Sequence, residues 1–246
     1  MATSNPAMSP AVYRRAGLAE TPTQTMTIRG AVLKSVLLVV ILLSVAAYTW
    51  SLAVEGSTVV YGLLIAGSIG GFIVALVTIF NPKASPITAP IYAALEGLVL
   101  GAISAVFERA YPGIVIQAVG LSIGVLAIML FLYGTGVVRA TEKFKIGVIA
   151  ATGAICLVYL VSIVASLFGS HIPFIHESGS VGIGFSLVVV VVAALNLILD
   201  FDFIEQGVKG QAPKCMEWYG GFSLLVTLIW MYLEILRLLV KIRNNR

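Results

Sequence analysis

The stretch Leu195–Asp202 reads Leu-Asn-Leu-Ile-Leu-Asp-Phe-Asp, and the stretch Trp230–Arg237 reads Trp-Met-Tyr-Leu-Glu-Ile-Leu-Arg. Each stretch places a carboxyl group, that of Asp200 or of Glu234, inside a run of large apolar residues. A charge at the centre of a bilayer costs at least about 2.5–3.5 kcal/mol, even on the most lenient insertion scale. Because that cost must be offset by some benefit, these two acids are the first candidates for function.

The composition indicates a membrane protein. Of the 246 residues, 59% are hydrophobic and 11% are charged, and the mean hydropathy is +1.05. Soluble domains carry about 25% charged residues, so this chain could not cover a water-exposed surface. The net charge of +4 does not indicate nucleic-acid binding, because the basic residues lie in short loops and at the termini, as membrane topology requires.

Seven apolar runs are long enough, or nearly so, to cross a bilayer, which takes about 20 residues. Long continuous runs predict helices rather than barrel strands. We therefore expect an all-α integral membrane protein, with a disordered cytoplasmic tail over residues 1–30 and a seven-helix transmembrane domain over residues 31–246. The runs are Val32–Trp50, Val59–Phe80, Pro90–Phe107, Gly113–Val137, Ile146–Phe168, Val181–Phe203 and Tyr219–Val240.

The distribution of Lys and Arg predicts an orientation. With the N-terminus in the cytoplasm, the outside loops hold only Arg109, and the cytoplasmic segments hold most other basic residues. A full crossing by the last run places the C-terminus outside, whereas a re-entrant last helix would leave it inside. Pairs of glycines four residues apart, Gly67/Gly71, Gly97/Gly101 and Gly120/Gly124, predict close helix contacts.

Three acids lie well inside apolar runs: Glu96, Asp200 and Glu234. Such residues usually face the bundle interior or a watery cavity and mark an ion or proton pathway. The alternative is a protonated carboxyl that only ties two helices together. Two carboxyls brought close in a low dielectric share a proton, which makes the pair a pH sensor. Protonated, the pair would hold two helices together; ionised, it would separate them and offer oxygen ligands suited to Ca²⁺.

Polar neighbours extend this pattern. Asn196 and Asp200 are four residues apart and share a helix face, while Arg237 follows Glu234 by three and either neutralises it or extends to the headgroups. Glu96, Asn196 and Arg237 are therefore candidates for a pore or a proton relay. Asp202 and Glu205 lie nearer the loop, where we expect them to be solvated; the alternative is that they guard a cytoplasmic mouth.

Enzyme signatures are weak. His171 and His176 are five residues apart, which does not match the His-Glu-x-x-His arrangement of metalloproteases. Gly182-Ile183-Gly184 is followed by Phe185 rather than by the acid of an intramembrane aspartyl protease. The two cysteines, Cys156 and Cys215, are interpreted as reduced or packed thiols. We expect no enzymatic activity and no cofactor.

The motifs of the last two runs resemble those of the Bax inhibitor family (transmembrane Bax inhibitor motif), in its bacterial branch similar to YccA and YetJ. The resemblance lies in Leu197–Phe201, in Tyr232–Leu236 followed by Arg237-Leu238-Leu239, and in the glycine-containing run Ile91–Gly101. It implies a seven-helix bundle with the last helix central, in a bacterial plasma (inner) membrane. It also implies a pH-sensitive Ca²⁺ leak through a di-carboxyl sensor, which here would be Asp200 and Glu234.

We therefore predict a cation leak channel with Ca²⁺ as the permeant ion, gated by Asp200 and Glu234, which would also bind Ca²⁺ transiently. Glu234 lies about 22 Å along its helix from Tyr219, so the two acids meet only if run seven begins outside the core or run six extends beyond Phe203. The alternatives are a non-conducting regulator of a membrane protease or another integral partner, and a proton-coupled transporter. The expected partners are the lipid bilayer, Ca²⁺ and protons.

Overall fold

Seven long helices make up most of the computed structural model, which describes residues 25–168 and 179–245. Each is long and apolar enough to cross a membrane, and the described ranges contain no strand, so the predicted all-α membrane fold is confirmed. A short 3-10 helix, Pro82–Ala84, connects the second and third helices. The helices are α1 (Ile28–Val54), α2 (Val59–Phe80), α3 (Ser85–Ala110), α4 (Ile114–Gly134), α5 (Glu142–Leu167), α6 (Ser180–Lys209) and α7 (Met216–Asn244).

Helix ends differ from the apolar runs because hydropathy marks only the part of a helix that lies in lipid. The second run matches α2 at both ends, but α6 continues to Lys209, six residues beyond the predicted end at Phe203. Likewise α7 begins at Met216 and ends at Asn244. The extra turns carry charged residues, which can lie at the headgroup level while the backbone stays helical.

The N-terminal helix begins inside the segment that we predicted to be a disordered tail. Thr27 is the N-cap of α1, and its hydroxyl accepts a hydrogen bond from the Gly30 backbone N–H at 2.9 Å. This satisfies one of the backbone donors that a helix start leaves open. The rest of the predicted tail, residues 1–24, lies outside the described residues, as do His171 and His176.

The chain divides into two compact units. The first comprises residues 1–112 and 200–226, and the second comprises residues 113–199 and 227–246. The first unit therefore holds α1, α2 and α3, the last turns of α6 and the first turns of α7. The second holds α4, α5 and the remaining parts of α6 and α7.

Close helix packing in the first unit depends on glycines of α2 and α3. A Cβ atom added to Gly97 would lie 2.7 Å from the Leu42 carbonyl oxygen of α1, and one added to Gly67 would lie 2.8 Å from the Leu95 carbonyl oxygen of α3. A methyl group cannot fit at such distances, so these backbones touch only because the side chain is absent. Two of the three predicted glycine contacts, Gly97/Gly101 and Gly67/Gly71, are thus confirmed.

The second unit packs through larger side chains. Ile155 of α5 and Val189 and Val192 of α6 form a buried cluster, against which Tyr159 and Trp230 pack. The prediction of a close glycine contact was wrong for Gly120/Gly124 of α4, because no described atom comes within 4 Å of a Cβ added at either position. A small-residue spacing permits a close approach, but it does not require one.

Candidate functional site

Asp200 lies in the first unit, in the last third of α6, and it is 0% exposed. The Ser223 hydroxyl of α7 donates a hydrogen bond of 2.6 Å to Asp200 Oδ1. A length of about 2.5–2.7 Å is typical of a hydroxyl that donates to an ionised carboxylate. A serine of α7 thus contacts this acid, and the contact joins α6 to α7 within the first unit.

Three buried aromatic rings of α3 and α7 pack against one another in the first unit and form an aromatic layer. Phe222, which precedes Ser223, packs edge-on against Tyr92 of α3, with ring centroids 4.9 Å apart, and lies 6.1 Å from the ring of Tyr219. All three aromatic residues are buried. Asp200 and Ser223 are themselves buried, a setting in which a hydrogen bond is stronger than in water.

Glu96, the third predicted acid, also belongs to the first unit. It is hydrogen-bonded to the Tyr92 side chain one turn earlier on α3. Its Oε1 atom would lie 3.1 Å from a Cβ added to Gly71 of α2, so the carboxyl group occupies the space that this glycine leaves. Tyr92 thus contacts both Glu96 and Phe222, which places a polar group of α3 beside the aromatic layer.

Asp202 and Glu205 both lie within α6, Glu205 because the helix continues past the predicted end at Phe203. Glu205 forms an ion pair with Lys209 one turn later, and both acids are partly buried. They lie in the last turns of the helix and so are nearer the α6–α7 loop than Asp200 is, and their role at a cytoplasmic mouth stays a prediction. Exposed ion pairs of this spacing contribute only about 0.3–0.5 kcal/mol.

The second unit holds the other principal acid. Glu234 of α7 is 1% exposed, and the Tyr159 hydroxyl of α5 lies 2.9 and 3.0 Å from its two carboxylate oxygens. Arg237 Nη1 donates to Glu234 Oε1 at 2.8 Å, and the guanidinium lies 5.4 Å from the centroid of the Tyr159 ring. The predicted neutralisation of Glu234 by Arg237 is thus present, and a tyrosine that the sequence did not single out completes it.

Asn196 and Lys241 each donate further hydrogen bonds in the second unit. Asn196 Nδ2 donates to Thr152 Oγ1 of α5 at 2.8 Å and to the Val192 carbonyl at 2.9 Å. Lys241 is buried, and its Nζ donates to Ser186 Oγ at 2.8 Å and to the Gly182 carbonyl at 3.1 Å. Lys241, in the last turn of α7, therefore bonds to the first turns of α6.

Several functional candidates were missed because hydroxyl groups in apolar runs are inconspicuous. Ser223 and Tyr159 each bond a buried acid, yet only the helix register shows this. A usable signal existed for Tyr159, since a buried tyrosine hydroxyl usually finds a polar partner. Glu217, which begins α7, was also missed and is almost fully buried.

The arrangement does not resemble a resident metal centre. Among residues 25–168 and 179–245, no group of three or more His, Cys, Asp or Glu side chains could hold a metal ion. A carboxylate beside a hydroxyl, as at Asp200 and Ser223, instead offers two hard oxygen atoms. Such a pair can interact with a passing cation without holding it tightly.

The comparison with protein families identifies the chain. The family model described as Bax inhibitor 1 like matches residues 5–244, which is nearly the whole length. The chain belongs to the Bax inhibitor 1 like family. Comparisons with curated proteins and with solved structures give no match. Family membership confirms the resemblance seen in the last two runs, and the buried acids Asp200 and Glu234 lie within the matched range.

Proposed function

We propose that this Bax inhibitor 1 like protein is a pH-sensitive cation leak channel, with Ca²⁺ as the permeant ion, gated by protonation of Asp200 and Glu234. The observation that supports it best is the complete burial of Asp200 in a membrane-spanning helix, with the Ser223 hydroxyl 2.6 Å away. A carboxylate is retained at such a depth when its charge or its proton is used.

The Asp200 carboxylate supplies the charge that attracts a cation. Ionised, it offers oxygen ligands beside the Ser223 hydroxyl and compensates a cation that leaves its hydration shell. Protonated, it is neutral and loses this attraction. The leak therefore increases as the pH rises through the titration of Asp200. Glu96 is the other acid of the first unit, and with Tyr92 it is the candidate relay.

Glu234 acts on helix packing in the second unit. Its carboxylate balances the charge of Arg237 and accepts a hydrogen bond from the Tyr159 hydroxyl, so it joins α5 to α7. Protonation would remove the negative charge that pairs with Arg237, whose side chain is about half exposed, and would weaken the acceptor of the Tyr159 hydroxyl. We infer that this changes the packing of α7 and thereby the leak. The sharing of one proton by Asp200 and Glu234 stays a prediction.

Liposomes that contain a Ca²⁺ dye test the proposal directly. With purified protein reconstituted at pH 5 to 8, we expect the Ca²⁺ leak to increase with pH, the Asp200→Asn variant to lose this dependence, and the Glu234→Gln variant to shift or lose it. Asp202→Asn is the matched control, since it removes an acid two residues from Asp200 and should keep the dependence. Wild-type liposomes as tight as empty ones at every pH would exclude a channel and favour the non-conducting regulator of a membrane protease or other integral partner.

The same experiment separates a transporter from a channel. A proton-coupled transporter would require a proton gradient and would saturate with its solute, whereas a leak follows the Ca²⁺ gradient alone. We further propose that the protein is not an enzyme and lies in a bacterial plasma membrane, with the N-terminus in the cytoplasm and the C-terminus outside. Labelling of single cysteines placed at Thr25 and Asn245 with a membrane-impermeant reagent tests this orientation.

A further inference from the structure

A short segment before α1 packs on the loop between α6 and α7. This strap, residues Thr25–Thr27, forms an isolated antiparallel bridge between Thr25 and Pro213. The Met26 backbone N–H donates to the Ala212 carbonyl at 2.7 Å, and the Met26 side chain is 2% exposed. An otherwise polar segment thus inserts one large apolar side chain into the first unit.

The Met26 side chain fills the space between the end of α6 and the start of α7. Its buried neighbours in the cluster include Phe203 and Ile204 of α6 and Met216 and Tyr219 of α7. Phe203 follows Asp200 by three residues, and Tyr219 precedes Ser223 by four, which is one helical turn in each case. Met26 therefore belongs to an apolar layer one turn from the Asp200–Ser223 pair, on the side of the α6–α7 loop.

A buried carboxylate holds the strap in place. Glu217 Oε1 accepts hydrogen bonds from the Thr27 backbone N–H at 3.1 Å and from the Thr27 hydroxyl at 2.9 Å, and Glu217 is 2% exposed. The carboxylate lies at the N-terminus of α1, where the helix dipole favours negative charge. A Cβ atom on Gly30 would overlap this carboxylate, so the glycine makes room for it.

We propose that the strap is a closure of the leak path at the α6–α7 loop, and that cations reach Asp200 from this side only when Met26 leaves its apolar layer. The inference rests on the proposed leak function. An apolar constriction excludes ions because it cannot replace their hydration shells. The two hydrogen bonds from Thr27 to Glu217 hold this closure in place and are called the latch; neither involves Asp200 or Ser223.

A reversible disulfide across the bridge tests the closure. Residues opposite each other in an antiparallel pair have Cα atoms about 4.5–5.5 Å apart, within the range that a disulfide spans. In a background with Cys156→Ala and Cys215→Ala, the double variant Thr25→Cys/Pro213→Cys should lose most of its Ca²⁺ leak when oxidised and recover it with a reductant. The reduced form of the same sample is the control for folding.

Release of the latch should have the opposite effect. Thr27→Val removes the hydroxyl that donates a hydrogen bond to Glu217. We expect the Ca²⁺ leak to increase by roughly tenfold, which corresponds to about 1.4 kcal/mol. Thr27→Ser keeps a hydroxyl and should leak like the wild type. Both variants should retain the pH dependence, because Asp200 is unchanged.

The outcomes distinguish the strap from the channel. If the oxidised Thr25→Cys/Pro213→Cys variant leaks Ca²⁺ as fast as the wild type, the closure by the strap is overturned and the proposed function is left intact. Equal leaks for Thr27→Val and Thr27→Ser would also overturn it. Tight wild-type liposomes at every pH would overturn the proposed function itself, and with it any role of the strap in closing a path.

Discussion

Ser223 donates a hydrogen bond of 2.6 Å to Asp200, so a neutral hydroxyl of α7 contacts the most deeply buried acid of α6. Glu234, which the sequence suggested as the partner of Asp200, lies eleven residues after Ser223, or about 16 Å along α7. Its own partners are Tyr159 and Arg237. Each acid thus has a hydroxyl donor on a neighbouring helix. Mutation of these two donors tests the two contacts most directly.

Ser223→Ala should destabilise the protein by about 1–3 kcal/mol, because a buried charged group loses a hydrogen-bond donor. Ser223→Thr keeps the hydroxyl and should cost less. Ser122→Ala is the matched control: Ser122 is also buried but donates only to the Ala118 carbonyl of its own helix. Thermal unfolding in detergent, followed with a thiol-independent dye, measures the difference. Equal melting temperatures for Ser223→Ala and Ser122→Ala would mean that the Asp200 contact contributes nothing to stability.

Tyr159→Phe and Glu234→Gln should be coupled. Each single change removes part of one network. The double variant should therefore lose less stability than the two single variants lose together, by about 0.5–3 kcal/mol. Phenylalanine keeps the ring that Arg237 faces at 5.4 Å, so the cycle isolates the hydroxyl contact. Denaturant unfolding of the four proteins gives the coupling energy. Strict additivity would show that the Tyr159 hydroxyl and the Glu234 carboxylate act independently.

The sequence predicts the helices and the principal acids for the same physical reason. Lipid requires long apolar runs and makes buried charge expensive, so both features stand out in composition alone. Arg237 was predictable as well, because a spacing of three places it beside Glu234 on one helix face.

The partners of the acids were not predictable, because they depend on the register between helices distant in sequence. Ser223 is one of many hydroxyl residues in apolar runs, and nothing local distinguishes it from Ser122, which bonds its own helix. Met26 was missed for a different reason: it lies in a polar, threonine-rich neighbourhood. Its burial depends on the α6–α7 loop, nearly 190 residues later.

Gly101→Ala should destabilise the first unit by about 1–3 kcal/mol, because the added methyl group would overlap the Ala46 carbonyl oxygen of α1. Gly124→Ala is the control, since nothing described lies within 4 Å of its new Cβ. In the control, alanine should be neutral or stabilising by up to about 1 kcal/mol, as is usual for glycine replaced within a helix. Melting temperatures in detergent provide the comparison. A Gly101→Ala variant as stable as Gly124→Ala would contradict the close contact of α1 and α3.

Cys215 should react slowly with maleimide at neutral pH. It lies just before α7, outside the membrane-spanning helices, and burial raises the pKa of its thiol above the ordinary value of 9.0. Because the thiolate is the reactive form, a raised pKa means a smaller thiolate fraction at pH 7 than in a free thiol. The rate should then level off at a higher pH than it does for the thiol of the denatured protein. Stopped labelling in a Cys156→Ser background measures the profile, with the denatured protein as the control. A rate that levels off at the same pH in the folded and in the denatured protein would show that burial does not raise the pKa of this thiol.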